Sequence, residues 1–145
     1  MYGRLLATLL CITFLGCGSN APSTPSSHLK DPKAVLNKTW QWESTVTPVE
    51  TITVSSPEQY TLLLAEDGTL KAKFDCNNGG GSYEISEGTL SFGPMMSTRM
   101  ACPEGSLDMV FMRDLARVSS FFLEGGNLYL ELPYDSGTMK FRAAP

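Results

Sequence analysis

From Tyr60 onward the chain is cut into short apolar stretches by glycine-containing turns, and this rhythm limits the fold more than any other feature. Tyr60 to Leu64 (YTLLL) is followed by Asp67-Gly68, a pair suited to a tight hairpin because glycine accepts positive φ. Leu70, Ala72 and Phe74 then alternate with Lys71 and Lys73, the two-residue period of a strand with one inward face. The segments SYEI (82–85) and TLSF (89–92) flank Ser-Glu-Gly, and SSFFL, NLYLEL and TMKFR are separated by EGG and PYDSG. Upstream, Trp40 and Trp42 fall on one face of a strand, with Gln41 and Glu43 on the other. Many short strands at close spacing predict a mainly β domain, an antiparallel barrel or sandwich.

One segment departs from this period. In LDMVFMRDLARV (107–118), apolar residues fall at 107, 110, 111, 115 and 118, the spacing of one helical face. Ser106 is placed to cap this helix, and Asp108 suits its first turn. Arg113 and Arg117 occupy the outer face. The spacing predicts a single helix over 107–118, packed on a barrel opening or side.

The N-terminus reads as an export signal. Arg4 precedes an 11-residue apolar run, Leu5 to Leu15. That run is short for a membrane span, which needs about 20 residues, and suits a signal-peptide core. Gly16-Cys17-Gly18 then resembles a bacterial lipobox, with Phe14 where leucine is usual. The expected organisation is a signal peptide over 1–16, a lipidated Cys17 with a tether over 17–33, and a domain over 34–145. An ordinary signal peptide cleaved nearby is the alternative. The Ser- and Pro-rich tether has an end-to-end distance of roughly 20–24 Å, so acyl chains such as palmitate on Cys17 would hold the domain near a membrane. The expected location is the bacterial envelope, on the periplasmic side of the outer membrane.

Export also bears on the four cysteines. Cys11 leaves with the signal peptide and Cys17 carries lipid, which leaves Cys76 and Cys102. In an oxidising compartment two thiols read as one disulfide, with free thiols or a two-ligand metal site as alternatives. The stretch FDCNNGGGSY (74–83) then reads as a strand ending at Cys76, a turn made by the glycines, and a new strand from Tyr83. It lacks the lysine and the following helix of a phosphate loop.

Several functions are excluded or disfavoured. A net charge of −4 with scattered basic residues gives no footprint for nucleic acid. The single histidine, His28, lies in the tether, so a nucleophile–histidine–acid triad has no base in the domain. Glu84, Glu87, Glu104, Asp108 and Glu131 are scattered and read as solvated surface charge. No cofactor motif is present, and none is expected. Met95, Met96, Met100 and Met109 cluster around Cys102 in the sequence. They read either as fillers of irregular core space or as thioether ligands for Cu(I).

Two motifs carry a family resemblance. SFGPMMSTRMAC (91–102) holds Phe92-Gly93-Pro94 and Thr98-Arg99-Met100-x-Cys102, and Cys76-Asn77 with Gly81-x-Tyr83 forms a second signature. With Trp40 and the helix after the second cysteine, they resemble the META domain, or HslJ-like, family. Asp75 stands where that family usually has glycine. The resemblance implies a small lipocalin-like β-barrel with one helix, export or lipid anchoring, no established catalysis, and links to envelope stress or antibiotic tolerance. It assigns Trp40, Asn77, Gly81, Tyr83, Thr98, Arg99 and Met100 to the family motif in structural roles. Arg99 is expected to make a structural hydrogen bond. Three functional readings follow: a monomeric, non-catalytic envelope lipoprotein domain that binds a partner; an inhibitor of an envelope protease or hydrolase, presenting PMMSTRM (94–100) or LPYDSG (132–137); and a small-ligand or Cu(I) binder. A barrel filled by Trp40, Phe92 and Phe111 would leave no interior room for a ligand.

Overall fold

The computed structural model describes residues 29–145, so the expected signal peptide, Cys11, Cys17 and His28 lie outside the described residues. Ten strands form: β1 (Thr39–Val46), β2 (Thr51–Thr53), β3 (Tyr60–Leu64), β4 (Thr69–Phe74), β5 (Asn77–Ser86), β6 (Thr89–Phe92), β7 (Met96–Ser97), β8 (Ser120–Glu124), β9 (Asn127–Leu132) and β10 (Gly137–Ala143). Helix α1 spans Asp108–Leu115, within the expected segment. The antiparallel order β10-β9-β8-β6-β5-β4-β3-β1 closes through β1–β10 pairing into an eight-stranded barrel, with β2 and β7 outside the ring.

Local chemistry sets the hairpins. Gly68 takes φ +83° between β3 and β4, and its N–H donates to Ala65 O at 3.1 Å. The Asp67 carboxylate accepts from Thr69 N at 2.9 Å, and hydrogen bonding from the Thr69 side chain, then from its backbone, holds the Asp67 pKa below the usual value. In β1, a bulge between Trp42 and Ser44 shifts the register against β10. After it the buried position moves to Thr45, while the Trp42 indole N–H donates to Ser44 O at 2.9 Å and Thr45 Oγ1 at 3.0 Å. Gln41, expected to face outward, is buried beneath Arg142, whose Nε donates to its Oε1 at 3.1 Å.

The glycine run corrects the sequence expectation. Gly79, Gly80 and Gly81 lie inside β5 and make no turn. The turn belongs to Asp75 and Cys76, between the paired Phe74 and Asn77, and Asp75 supplies the positive φ of 57°. Aspartate tolerates this conformation, which accounts for its standing where glycine is usual. The glycines serve close approach instead. A Cβ on Gly79 would lie 2.0 Å from Met96 O, one on Gly80 2.1 Å from Leu70 O, and one on Gly81 2.6 Å from Pro94 O. Only glycine lets β4 and the 94–97 segment close on this strand.

Rings and leucines fill the barrel. Trp40, Trp42, Phe74, Phe111, Phe121 and Phe141 are all buried, whereas Phe92 is only partly so. Phe111, from α1, stacks on Trp42 with centroids 4.9 Å apart and meets Tyr60 edge-on at 5.9 Å. Such pairs contribute about 0.5–1.5 kcal/mol each beyond burial. The lipocalin-like shape therefore encloses packed side chains.

The two barrel ends differ. At the helix end lie Val46, Tyr60, Phe74 and Asn77, the β1, β3, β4 and β5 termini that α1 approaches through Phe111. At the other end, Leu29 exchanges backbone hydrogen bonds with Leu123 at 3.0 and 2.8 Å, and Val35 is buried. The described chain is thus attached to the barrel from Leu29, ahead of the expected boundary at 34. The ring is also unevenly zipped. β1 and β10 share six register pairs, whereas β6 and β8 share one, Thr89↔Ser120. The connection from β6 to β8 leaves the ring there and builds the helix end.

Candidate functional site

That connection begins with Gly93 and crosses β5 as an irregular segment. β7 pairs it to the glycine strand at Gly79↔Ser97 and Gly80↔Met96. Beyond β7 the Asn77 side chain makes most of the segment's hydrogen bonds. Asn77 is buried, and its Oδ1 accepts from Thr98 Oγ1 at 2.9 Å and Met100 N at 2.8 Å. Its Nδ2 donates to Met100 O at 3.1 Å and Cys102 Sγ at 3.3 Å. The backbone partners fix the amide orientation, because Met100 N–H can only donate and its carbonyl can only accept. Thr98 adds N–H to Asn78 O at 2.9 Å, and its Oγ1 accepts from Asn78 N at 3.1 Å.

Cys76 and Cys102 form the disulfide, with Cα atoms 5.4 Å apart and a sequence separation of 26. Of the sequence alternatives, this excludes free thiols and a thiolate metal site at these positions. After Cys102 the chain turns through Pro103–Ser106 into α1. Leu107 N–H donates to the Tyr60 hydroxyl at 2.9 Å, and Asp108 N to Ser106 Oγ at 3.2 Å. Ser106 thus meets the first turn as expected, although Leu107 occupies the cap position. On α1, Phe111 and Leu115 point inward, and Val110 packs at the core edge.

Between the 95–101 segment and α1 lies a groove of about 740 Å³. Phe74 and Asn77 line it, together with Met95, Met96, Met100, Met109 and Met112. Three of these methionines are largely exposed: Met96 at 81%, Met109 at 71% and Met100 at 58%. Asp108 and Arg99 supply its charged groups. The expected structural hydrogen bond of Arg99 does not form. Its guanidinium is exposed, with no hydrogen-bond or ion-pair partner among the described residues.

The structure therefore gathers Cys76, Asn77, Thr98, Arg99, Met100 and Cys102 at one place, and separates the other motif residues. Trp40 lies near the opposite end, donating its indole N–H to Val35 O at 2.9 Å. Gly81 serves the Pro94 approach. The Tyr83 hydroxyl donates to Ala65 O in the β3–β4 turn, and burial, then the Asp67 and Glu66 charges, push its pKa up. Sequence reasoning missed three features. Met112 joins the groove because it follows Met109 by one helical turn. Tyr60 reads as plain strand core, yet its hydroxyl anchors the helix start. Asp114, which helical spacing places on the inner face with 107, 111 and 118, is buried and bonded to Arg113 at 2.9 Å, which raises the guanidinium pKa. The signal was its spacing from Leu107, Phe111 and Val118, which the charge of the residue obscured.

Comparison with solved structures supports the fold. A protein from Burkholderia xenovorans solved by NMR is similar at TM-score 0.65 and 23% identity, over 86% of this chain and 99% of that one. A DUF4847 family protein from Bacteroides vulgatus is similar at TM-score 0.59 and 11% identity, over 76% and 94%. No curated protein matches. The META domain model matches residues 33–145, which take in the Asn77 clasp, the disulfide and the groove, and the chain belongs to the META domain family.

Proposed function

We infer that this is a non-catalytic binding domain of the bacterial envelope, displayed on a lipid anchor at Cys17, with the methionine-lined groove as its binding surface. The exposure of Met96, Met100 and Met109 around one concave site carries the reading. Sites of this kind are mostly apolar with a few placed polar groups, and unbranched methionines adapt to an apolar partner surface. The anchoring geometry is consistent with it. The tether would reach the barrel at Leu29, on the end opposite the groove, and β1 alone separates those ends by roughly 23 Å. The groove would then face away from the membrane. A role in envelope stress or antibiotic tolerance fits such a display.

The test uses the full chain expressed in its envelope. The wild-type chain is expected in the membrane fraction, and Cys17→Ala in the soluble fraction. Affinity capture is expected to recover a stoichiometric protein partner, lost in Met96→Glu/Met109→Glu while the melting temperature holds. Recovery of the same partner by the glutamate variant would overturn the groove assignment. Turnover of an envelope substrate, abolished by a point substitution, would overturn the non-catalytic reading.

A turn on the same half of the barrel favours the inhibitor reading as a second candidate. Tyr134 and Asp135 both hold positive φ, 58° and 52°, and Tyr134 projects into solvent. Strained backbone clusters at functional sites, and tyrosine is enriched among interface hot spots. Loss of inhibition of an envelope protease or lysozyme on Tyr134→Ala is the expected signature. Inhibition equal to wild type would remove this candidate.

A further inference from the structure

We propose that Met96, Met100 and Met109 form a thioether site for a soft monovalent metal ion, Cu(I) in chemical class. This rests on the groove described above and names a ligand for it.

The chain has seven methionines, and five line this one groove. Met139 alone among the described methionines sits in the barrel core. Core filling accounts for Met139, and Met95 and Met112 pack partly against the core, which leaves the exposed Met96, Met100 and Met109 to be explained. Among the described residues, three of the seven exposed large hydrophobics are these methionines. Besides the flexibility that suits an apolar partner, methionine carries a polarisable sulfur lone pair that leucine lacks.

The backbone holds the three thioethers around the same space from independent fixed points. Met96 sits on β7, which only the glycine strand admits so closely. Both backbone polar groups of Met100 are bound by Asn77. Met109 lies in the first turn of α1, whose entry is fixed by Tyr60. All three side chains line the one groove, and their unbranched, freely rotating chains let the sulfurs converge on an ion there. Met95 and Met112 supply further thioethers on the same walls.

The donor set also selects the metal. Among the described residues, no group of three or more His, Cys, Asp or Glu side chains could hold an ion, and Cys76 and Cys102 are spent in the disulfide. Zn(II), Mg(II) and Ca(II) find no ligand set of their kind. Thioethers favour Cu(I) and its closed-shell analogue Ag(I). Arg99 on the groove repels a divalent ion twice as strongly as a monovalent one, and Asp108 offers one compensating charge.

The test uses the full chain in detergent with methyl-labelled methionine, carrying Cys11→Ser and Cys17→Ser so that no free thiol competes. One equivalent of Ag(I), as nitrate, is the probe. The methyl signals of Met96, Met100 and Met109 are expected to move together, with those of Met1 and Met139 unmoved, and Cu(I) is expected to displace the silver. Met96→Leu/Met100→Leu/Met109→Leu keeps the apolar surface and removes the sulfur, so it is expected to weaken Ag(I) binding at least about tenfold at unchanged melting temperature. Partner capture by this leucine variant separates the two claims, since apolar docking survives the exchange while metal binding does not. Methyl signals that stay unmoved at one equivalent, or a leucine variant that binds Ag(I) as tightly as wild type, would overturn the site.

Discussion

The two ends of the barrel are closed by different means. At the Leu29 end, backbone closes the structure: Leu29 and Leu123 exchange main-chain bonds, and Trp40 sits under Val35. At the helix end, side chains close it. Phe111 plugs the opening, and Asn77 and the Cys76–Cys102 bond hold the covering segment. At the Leu29 end Val35 and Trp40 stay inside, although Leu29 itself is half exposed. A side-chain closure spends its polar groups on the clasp and leaves an open groove rimmed by methionines. The second end therefore combines rigid main chain with adaptable side chains, as a binding surface requires.

The comparison breaks most severely at the plug. Phe111→Ala removes a buried ring that touches Trp42, Tyr60, Phe74 and Phe141. It should cost about 3–5 kcal/mol in chemical denaturation. A cost below about 1 kcal/mol would show that α1 is dispensable to the barrel. Next comes the staple. The disulfide closes a loop of roughly 27 residues, a stabilisation of about 3.5 kcal/mol in the chain-entropy model. Cys76→Ser/Cys102→Ser should lower the melting temperature accordingly, and an unchanged value would contradict it.

Asn77→Ala is a smaller and more local change. It strands Met100 N–H and the Thr98 hydroxyl, at a cost of about 1–3 kcal/mol. Hydrogen exchange should quicken across residues 96–102 while the Leu29 and Leu123 amides keep their protection. Equal loosening at both ends would erase the distinction drawn between them. The smallest effect belongs to Tyr83, next to the β3–β4 turn. Its raised pKa means that folding favours the neutral phenol. That stability is complete below the unfolded value of about 10 and is lost as pH rises through the folded value. Tyr83→Phe should cost about 1 kcal/mol near neutral pH and flatten the alkaline decline.

The sequence was most legible where the chain follows a period. Strands β3, β4, β8, β9 and β10 and helix α1 fall where alternation or helical spacing placed them. It was least legible where close packing overrides local preference. The glycines of β5 resemble a turn because glycine usually is one; what they permit, the approach of Met96 and Pro94, is a contact between distant segments. Gln41 reads outward by strand alternation, and Asp114 is a carboxylate at an inward helical position; both are buried with Arg142 and Arg113 as hydrogen-bond partners. Asn77, Thr98 and Met100 were picked out by the motif resemblance, yet their mutual bonding could be read only from coordinates. The methionine cluster was visible in the sequence, but the concave shape it lines was not. That shape arises because α1 and the 95–101 segment, separate in sequence, face one another across Asn77.

The most direct measurement places a photo-crosslinking side chain at Met109 in one full-length chain and at Lys38, near the Leu29 end, in another, and irradiates intact cells. The account predicts a discrete adduct from position 109 that Met96→Glu suppresses, and none from position 38. Adducts from position 38 alone, or an adduct at 109 indifferent to Met96→Glu, would contradict the assignment of the helix end as the binding end.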